Sequence, residues 1–212
     1  MGNVTVQGVK RVFARLMTLA LTGCLLASGA MAQTAPPTRI RGTIAALNGQ
    51  TLTVNTREGP KVDVSLNDPL TVTTVKPLKL ADIKEGSYVG VASKTGAAGS
   101  AQALEVLVFP DSMRGAGEGH YAWDLQPGSM MTNANVTAVV KAKAGNDLTL
   151  TYKDGTQKIT VPPSTPIVTF APAERSDLKP GAHVMFGATK NAEGKLTASR
   201  ITVGTNGVNP PM

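Results

Sequence analysis

The stretch Asp82-Ile83-Lys84-Glu85-Gly86-Ser87-Tyr88-Val89-Gly90-Val91 returns later as Asp177-Leu178-Lys179-Pro180-Gly181-Ala182-His183-Val184-Met185-Phe186, an offset of 95. The same offset sets Val106 on Ile201. One residue of slippage sets Leu52 on Leu148 and the turn Arg57-Glu58-Gly59 on Lys153-Asp154-Gly155. A fixed offset held over about seventy positions marks a duplicated unit, which must bury the same pattern twice.

That pattern has a period of two. Ile40, Gly42, Ile44 and Ala46 alternate with Arg41, Thr43 and Ala45, and Asn48-Gly49 follows as a type I′ hairpin turn. Leu52 and Val54 share one face of the next strand, and Val62, Val64 and Leu66 give a third. Asn67-Asp68-Pro69 is expected to end it, leaving 71–75 as a short fourth strand. Residues 80–85 read as one helical or 3₁₀ turn ending at Gly86; strands at 88–91 and 103–109 complete the unit. The second copy repeats this at 136–143, 148–152, 157–161, 167–170, 183–188 and 195–203, with Ser176 or Asp177 capping its turn. So many short strands leave too many edges for a flat sheet, and closure into a small barrel removes them.

The expectation is an all-β chain of two tandem small β-barrels, 39–110 and 133–204, joined by a linker at 111–132. Leu52/Leu148, Val54/Leu150, Val89/Val184 and Val106/Ile201 should occupy equivalent core sites. Residues 33–38, with Pro36-Pro37, read as a tether, and 205–212, with Pro210-Pro211, as a frayed tail.

The N-terminus carries a different signal. Lys10, Arg11 and Arg15 precede an apolar run at 16–26, and Ala30-Met31-Ala32 supplies small residues for cleavage before Gln33. That layout predicts a secretory signal peptide over 1–32 and a periplasmic or secreted product. The alternative is a lipoprotein anchored through Cys24, since Leu21-Thr22-Gly23-Cys24 resembles a lipobox. Without 1–32 the formal charge falls from +7 to +4, so part of the basicity belongs to the leader. The remaining charges alternate in sign, which argues against a nucleic-acid partner. Cys24 is the only cysteine, so neither an intrachain disulfide nor a cysteine-based metal site is expected. No stretch after the leader is apolar enough to span a membrane.

The pattern Gly42-Thr43-Ile44, Leu52-Thr53-Val54, Asp82-Ile83-Lys84-Glu85-Gly86 and Val89-Gly90-Val91 resembles exported bacterial proteins with tandem small OB-like domains of unknown function. The resemblance covers nearly all of 39–204 outside the linker, and its motifs determine fold, not chemistry. Similar chains sometimes carry the label of a metal transporter permease. A permease needs multiple spans, which this sequence lacks.

The linker concentrates the unusual side chains: the only Trp (Trp123), one of two His (His120), and Met113, Met130 and Met131. Long loops tend to be functional. One reading has Tyr121, Trp123 and Leu125 wedged between the barrels, with Tyr121 and Trp123 the interaction residues. The other has His120, Met113, Met130 and Met131 holding a copper or silver ion, because imidazole and thioether donors suit soft metals. Glu118, His120 and Asp124 would instead serve a harder cation. Periplasmic copper and silver chaperones are similar in fold pattern and residue types, but their ligands lie within the barrel. His183 is expected on a solvent-facing strand position.

Catalytic residues are not expected. The chain after the leader has no serine elbow, cysteine nucleophile or HExxH helix. The sequence therefore points to a non-enzymatic binding or structural module of the cell envelope, without cofactor, whose partner is an envelope protein or a glycan. The alternative is a periplasmic soft-metal binding or metal-transport accessory protein.

Overall fold

The computed structural model describes residues 37–96, 100–142 and 145–210, with the side chain of Ala142 excluded. The expected leader, residues 1–32, and the lipobox-like pattern at Cys24 lie outside the described residues. So do 33–36 of the tether and the last two residues of the tail.

The fold is all-β: β1 (Thr38–Asn48), β2 (Thr51–Thr56), β3 (Lys61–Pro77), β4 (Tyr88–Thr95), β5 (Ala101–Val108), β6 (Gly119–Trp123), β7 (Ser129–Ala142), β8 (Gly145–Tyr152), β9 (Gly155–Val161), β10 (Ile167–Pro172), β11 (His183–Lys190) and β12 (Leu196–Val203). Among the described residues the helical content is three 3₁₀ turns, Leu80–Asp82, Asp111–Met113 and Arg175–Asp177.

A five-stranded barrel closes in the order β1-β2-β3-β12-β11 and back to β1, with β3 and β12 parallel and the other neighbours antiparallel. Its core holds Ile44, Leu52, Val54, Val64, Val184, Phe186, Ile201 and Val203. The other strands run β7-β8-β9-β5-β4 and return to β7, with β9 and β5 joined by a short parallel pairing. Val89, Val91, Val106, Val136, Leu148, Leu150, Ile159 and Val161 fill this second core.

The expected boundaries require correction. Spans 39–110 and 133–204 do not each close on themselves. Strands β1–β3 of the first span close with β11 and β12 of the second, and β7–β9 of the second close with β4 and β5 of the first. The residues expected as equivalents are all fully buried, but Leu52 and Val54 pack with Val184 and Ile201, whereas Leu148 and Leu150 pack with Val89 and Val106.

Matching backbone bonds seal both exchanges. Gly181 N–H donates to the Ile44 carbonyl and Ile44 N–H to Ala182; Gly86 N–H donates to Val136 and Val136 N–H to Ser87. The two connecting turns also match. The Asp82 carboxylate accepts from Lys79 N–H at 2.8 Å, and Asp177, not Ser176, accepts from Glu174 N–H at 2.9 Å.

The cause of the exchange is the length of β3. Instead of stopping at Asn67-Asp68-Pro69, it runs for 17 residues, about 55 Å at the usual rise per residue. Residues 67–70 fall between its two registers with β12 and have no partner in any strand pair, so the N–H that Pro69 lacks costs no ladder bond. Beyond them β3 pairs with β10, and the chain is delivered beside β7 before it turns into β4. β10 pairs antiparallel with β3 and parallel with β5, so the two cores share one hydrogen-bonded sheet where two separate barrels were expected.

Two further expectations change. The linker is partly ordered as strand: β6 pairs with β7, whose first residues belong to the expected linker. The described part of the tail is docked, with Thr205 bridged to Val208, Pro210 buried and Thr205 Oγ1 2.7 Å from Thr74 Oγ1.

Candidate functional site

The β6–β7 pairing decides which linker residues meet. His120 stands opposite Thr132 and Ala122 opposite Met130, so these four share one face. Tyr121 opposite Met131 and Trp123 opposite Ser129 share the other. Of the four expected soft donors, His120 and Met130 therefore come to one wall. Met131 turns away and is buried, 8% exposed. Met113 sits in the 3₁₀ turn, which Arg114 holds through the Asn135 side chain and the Gly86 carbonyl.

His120 and Met130 line a concavity of about 520 Å³ on the second core's strands, between the β4–β5 end and the outer faces of β8 and β9. Its other walls include Lys94, Asp147, Lys158 and Thr160. Thr160 Oγ1 donates to Asp147 at 2.7 Å, and Lys158 Nζ lies 3.3 Å from the same carboxylate. The Thr160 bond first, and Lys158 second, hold the Asp147 carboxyl below its ordinary range. His120 Nδ1 is 2.8 Å from Thr132 Oγ1 and its ring stacks on Tyr152 at 6.2 Å, which fixes the ring and leaves Nε2 as the nitrogen available to a ligand. The concavity thus offers preset hydrogen-bond donors, acceptors and charges of both signs. One imidazole and one thioether stand among them.

The other face of the hairpin reaches the first barrel. Asp124 Oδ1 accepts from Arg41 Nη2 at 2.7 Å and pairs with Arg39 Nη1 at 2.9 Å. Arg57 donates to the backbone carbonyls of Asp124 and Leu125. The Arg39 guanidinium lies 3.8 Å above the Trp123 ring, and that of Arg41 lies 5.3 Å from it. Arg41 is only 2% exposed, and its hydrogen bond to Asp124 is the chief reason that carboxyl is held well below the usual carboxylate range. Burial opposes this shift. Trp123, read in the sequence as a wedge and interaction residue, is engaged inside the chain; Tyr121 is more exposed, and its hydroxyl accepts from Asn133 Nδ2 at 3.2 Å.

This clasp was not anticipated. Its signal was Arg39 and Arg41 at alternate positions, a spacing that places both on the outer face of β1. His183 also departs from expectation. It is on the outer face of β11, opposite Thr43, but half-buried, with Nδ1 shielded and without a hydrogen-bond partner.

Among the described residues, no group of three or more His, Cys, Asp and Glu side chains is placed to hold a metal ion. Glu118 is engaged elsewhere, accepting from Lys153 N–H at 2.9 Å, so it does not join His120 and Asp124 in a hard-cation site. No described helix is long and apolar enough to cross a membrane. Comparison with protein-family models, curated proteins and solved structures returns no match for this chain.

Proposed function

We propose that the protein is a non-enzymatic binding module of the bacterial cell envelope, made of two OB-like barrels with exchanged halves, and that the polar concavity beside His120 is its binding site. The observation that carries this reading is the fixed Asp147–Thr160 pair on one wall, with the exposed Lys158 beside it. Fixed polar groups in a concavity bind without the entropy cost of ordering them. Hydroxyl, amide and both charge signs suit a hydroxyl-rich ligand, and an envelope glycan is the favoured class over an envelope protein. Assignment to the envelope rests on the leader pattern of residues 1–32. Co-sedimentation with purified cell-wall glycan tests the site. Binding should be lost in Asp147→Ala and Lys158→Ala, and variants that bind as wild type remove the concavity from the proposal. Turnover of a substrate by the purified protein ends its non-enzymatic part.

One observation favours a second reading, a soft-metal site of reduced composition. His120 and Met130 share one wall, although Met113 and Met131 are elsewhere. Copper(I) or silver(I) bound there should raise the melting temperature as its concentration passes the dissociation constant. The shift should disappear in His120→Ala and Met130→Leu. Equal melts with and without either ion exclude this reading.

A further inference from the structure

A second recess lies on the first barrel, away from the polar concavity. It is a trough of about 380 Å³ whose walls include Pro37, Arg39, Phe170, Met185, Arg200 and Thr202. Register explains its shape. Arg39 stands opposite Gly187, whose missing side chain leaves room for Pro37 to lie against the strand, and Met185 is two residues along the same outer face. On β12 the register with β3 shifts between Ala198 and Arg200, and both Ser199 and Arg200 are exposed. A shift of this kind re-aims side chains. Phe170 enters from β10 and its ring is braced by Phe109, 6.2 Å away, which in turn meets Tyr88 at 5.3 Å.

The chemistry of the trough is lopsided. Two arginines, Arg39 and Arg200, line it with the side chains of Pro37, Phe170 and Met185, and among the described residues no carboxylate does. Among the described residues Arg200 makes no ion pair or hydrogen bond through its side chain. Arg39 does have a partner, but shares it. Asp124 Oδ1 is approached more closely by Arg41, at 2.7 Å against 2.9 Å, so Arg39 can turn to a ligand without leaving that carboxylate uncompensated.

We propose that this trough binds an amphiphilic oxyanion: a carboxylate or phosphate monoester held by Arg39 and Arg200, with its apolar chain laid on Phe170 and Met185. A guanidinium fork matches the paired oxygens of either head group. The apolar floor selects against bare ions, because a small inorganic anion gains nothing from it.

The chain carries its own reporter. Trp123 is the only tryptophan, and Arg39 is stacked on it. A ligand that draws Arg39 away changes the surroundings of that indole. The experiment is a titration of the purified protein with decanoate, octyl phosphate, octyl glucoside and inorganic phosphate, each below any micelle concentration, followed by Trp123 fluorescence and by calorimetry. The expected result is saturable one-to-one binding of decanoate, octyl phosphate or both. Which of them binds tighter separates a fatty-carboxylate from a phospholipid-type source. Octyl glucoside and inorganic phosphate should bind at least roughly tenfold more weakly, the margin expected for losing a charge-assisted contact or the apolar chain. Arg200→Gln, at an exposed position, should weaken amphiphile binding by a similar factor with an unchanged melting temperature, and Lys61→Gln should not alter it. The proposal is overturned by no saturable response to either anionic amphiphile, by octyl glucoside binding equally well, by inorganic phosphate matching octyl phosphate, or by Arg200→Gln binding like wild type.

Discussion

Replacing Asp124 with alanine should destabilise the protein by more than its half-exposed position suggests, because Arg41 beneath it is almost wholly buried. Removing one partner of a fully buried ion pair costs about 3–5 kcal/mol, most of it the penalty of the uncompensated charge left behind. Asp124 is 50% exposed, so water already screens part of the pair and the loss should be nearer 2 kcal/mol. For a folded body of this size that corresponds to a fall in melting temperature of roughly 4–8 °C. The decisive comparison is the double variant Arg41→Met/Asp124→Ala. It removes the buried charge together with its partner and should recover more than half of the loss. Urea unfolding followed by far-ultraviolet circular dichroism gives the free energies, and Trp123 fluorescence reports on the clasp. The reasoning fails if Asp124→Ala costs less than about 0.5 kcal/mol, or if the double variant is no more stable than the single one.

The same carboxylate sets an acid limb. Arg41 lowers the folded-state pKa of Asp124 below its unfolded value near 3.9, so the unfolded chain binds more protons in that window. The contribution of Asp124 should be complete above about pH 5 and decline as pH falls through 4 and below, and Asp124→Asn should flatten that limb of an acid titration. Tyr88 behaves oppositely. Burial pushes its hydroxyl up to about 12, so stability should fall as pH rises from about 10 towards 12, and Tyr88→Phe should reduce the slope measured by alkaline denaturation. Leu150→Ala, at a fully buried site of the second core, should cost about 2–5 kcal/mol in urea unfolding, and a loss under 1 kcal/mol would contradict that packing. Gly42→Ala should be damaging although Gly42 lies in a strand: a Cβ there would overlap the Asn55 carbonyl of β2, so a melting temperature equal to wild type would disprove the close approach of β1 and β2.

Strand content was legible because alternation survives wherever one face is buried. Leu52-Thr53-Val54 and Leu148-Thr149-Leu150 both lie in strands with their apolar residues fully buried. Which strands close together was not legible. The two spans present the same faces, so pairing within a span and pairing across spans satisfy the periodicity equally well, and a run-through at Pro69 decided between them. Proline signals a break because it cannot donate to a ladder. Here it falls where no ladder bond was due. The candidate site was half legible for a related reason. Met130 and Met131 are neighbours in sequence and look like joint donors, but consecutive strand residues point to opposite faces, so Met130 alone joins His120. Asp147, Lys158 and Thr160 were invisible as a group because they meet only when β8 lies against β9.

The strand connectivity also fixes when the first barrel can close. Thr38 pairs with Ala188, and Val64 in β3 with Leu196 in β12, so β1 and β3 have closing partners far downstream in the sequence. Most multi-unit chains fold their first unit while the rest is still being made. Here β1, β2 and β3 must wait, with two open edges and an unfilled apolar face, until β12 exists. Contacts so distant in sequence also slow the search for the native pairing. Only the first barrel is held open in this way: β4, β5, β7, β8 and β9 lie together in sequence between Tyr88 and Val161, so the second core can close while β11 and β12 are still unmade.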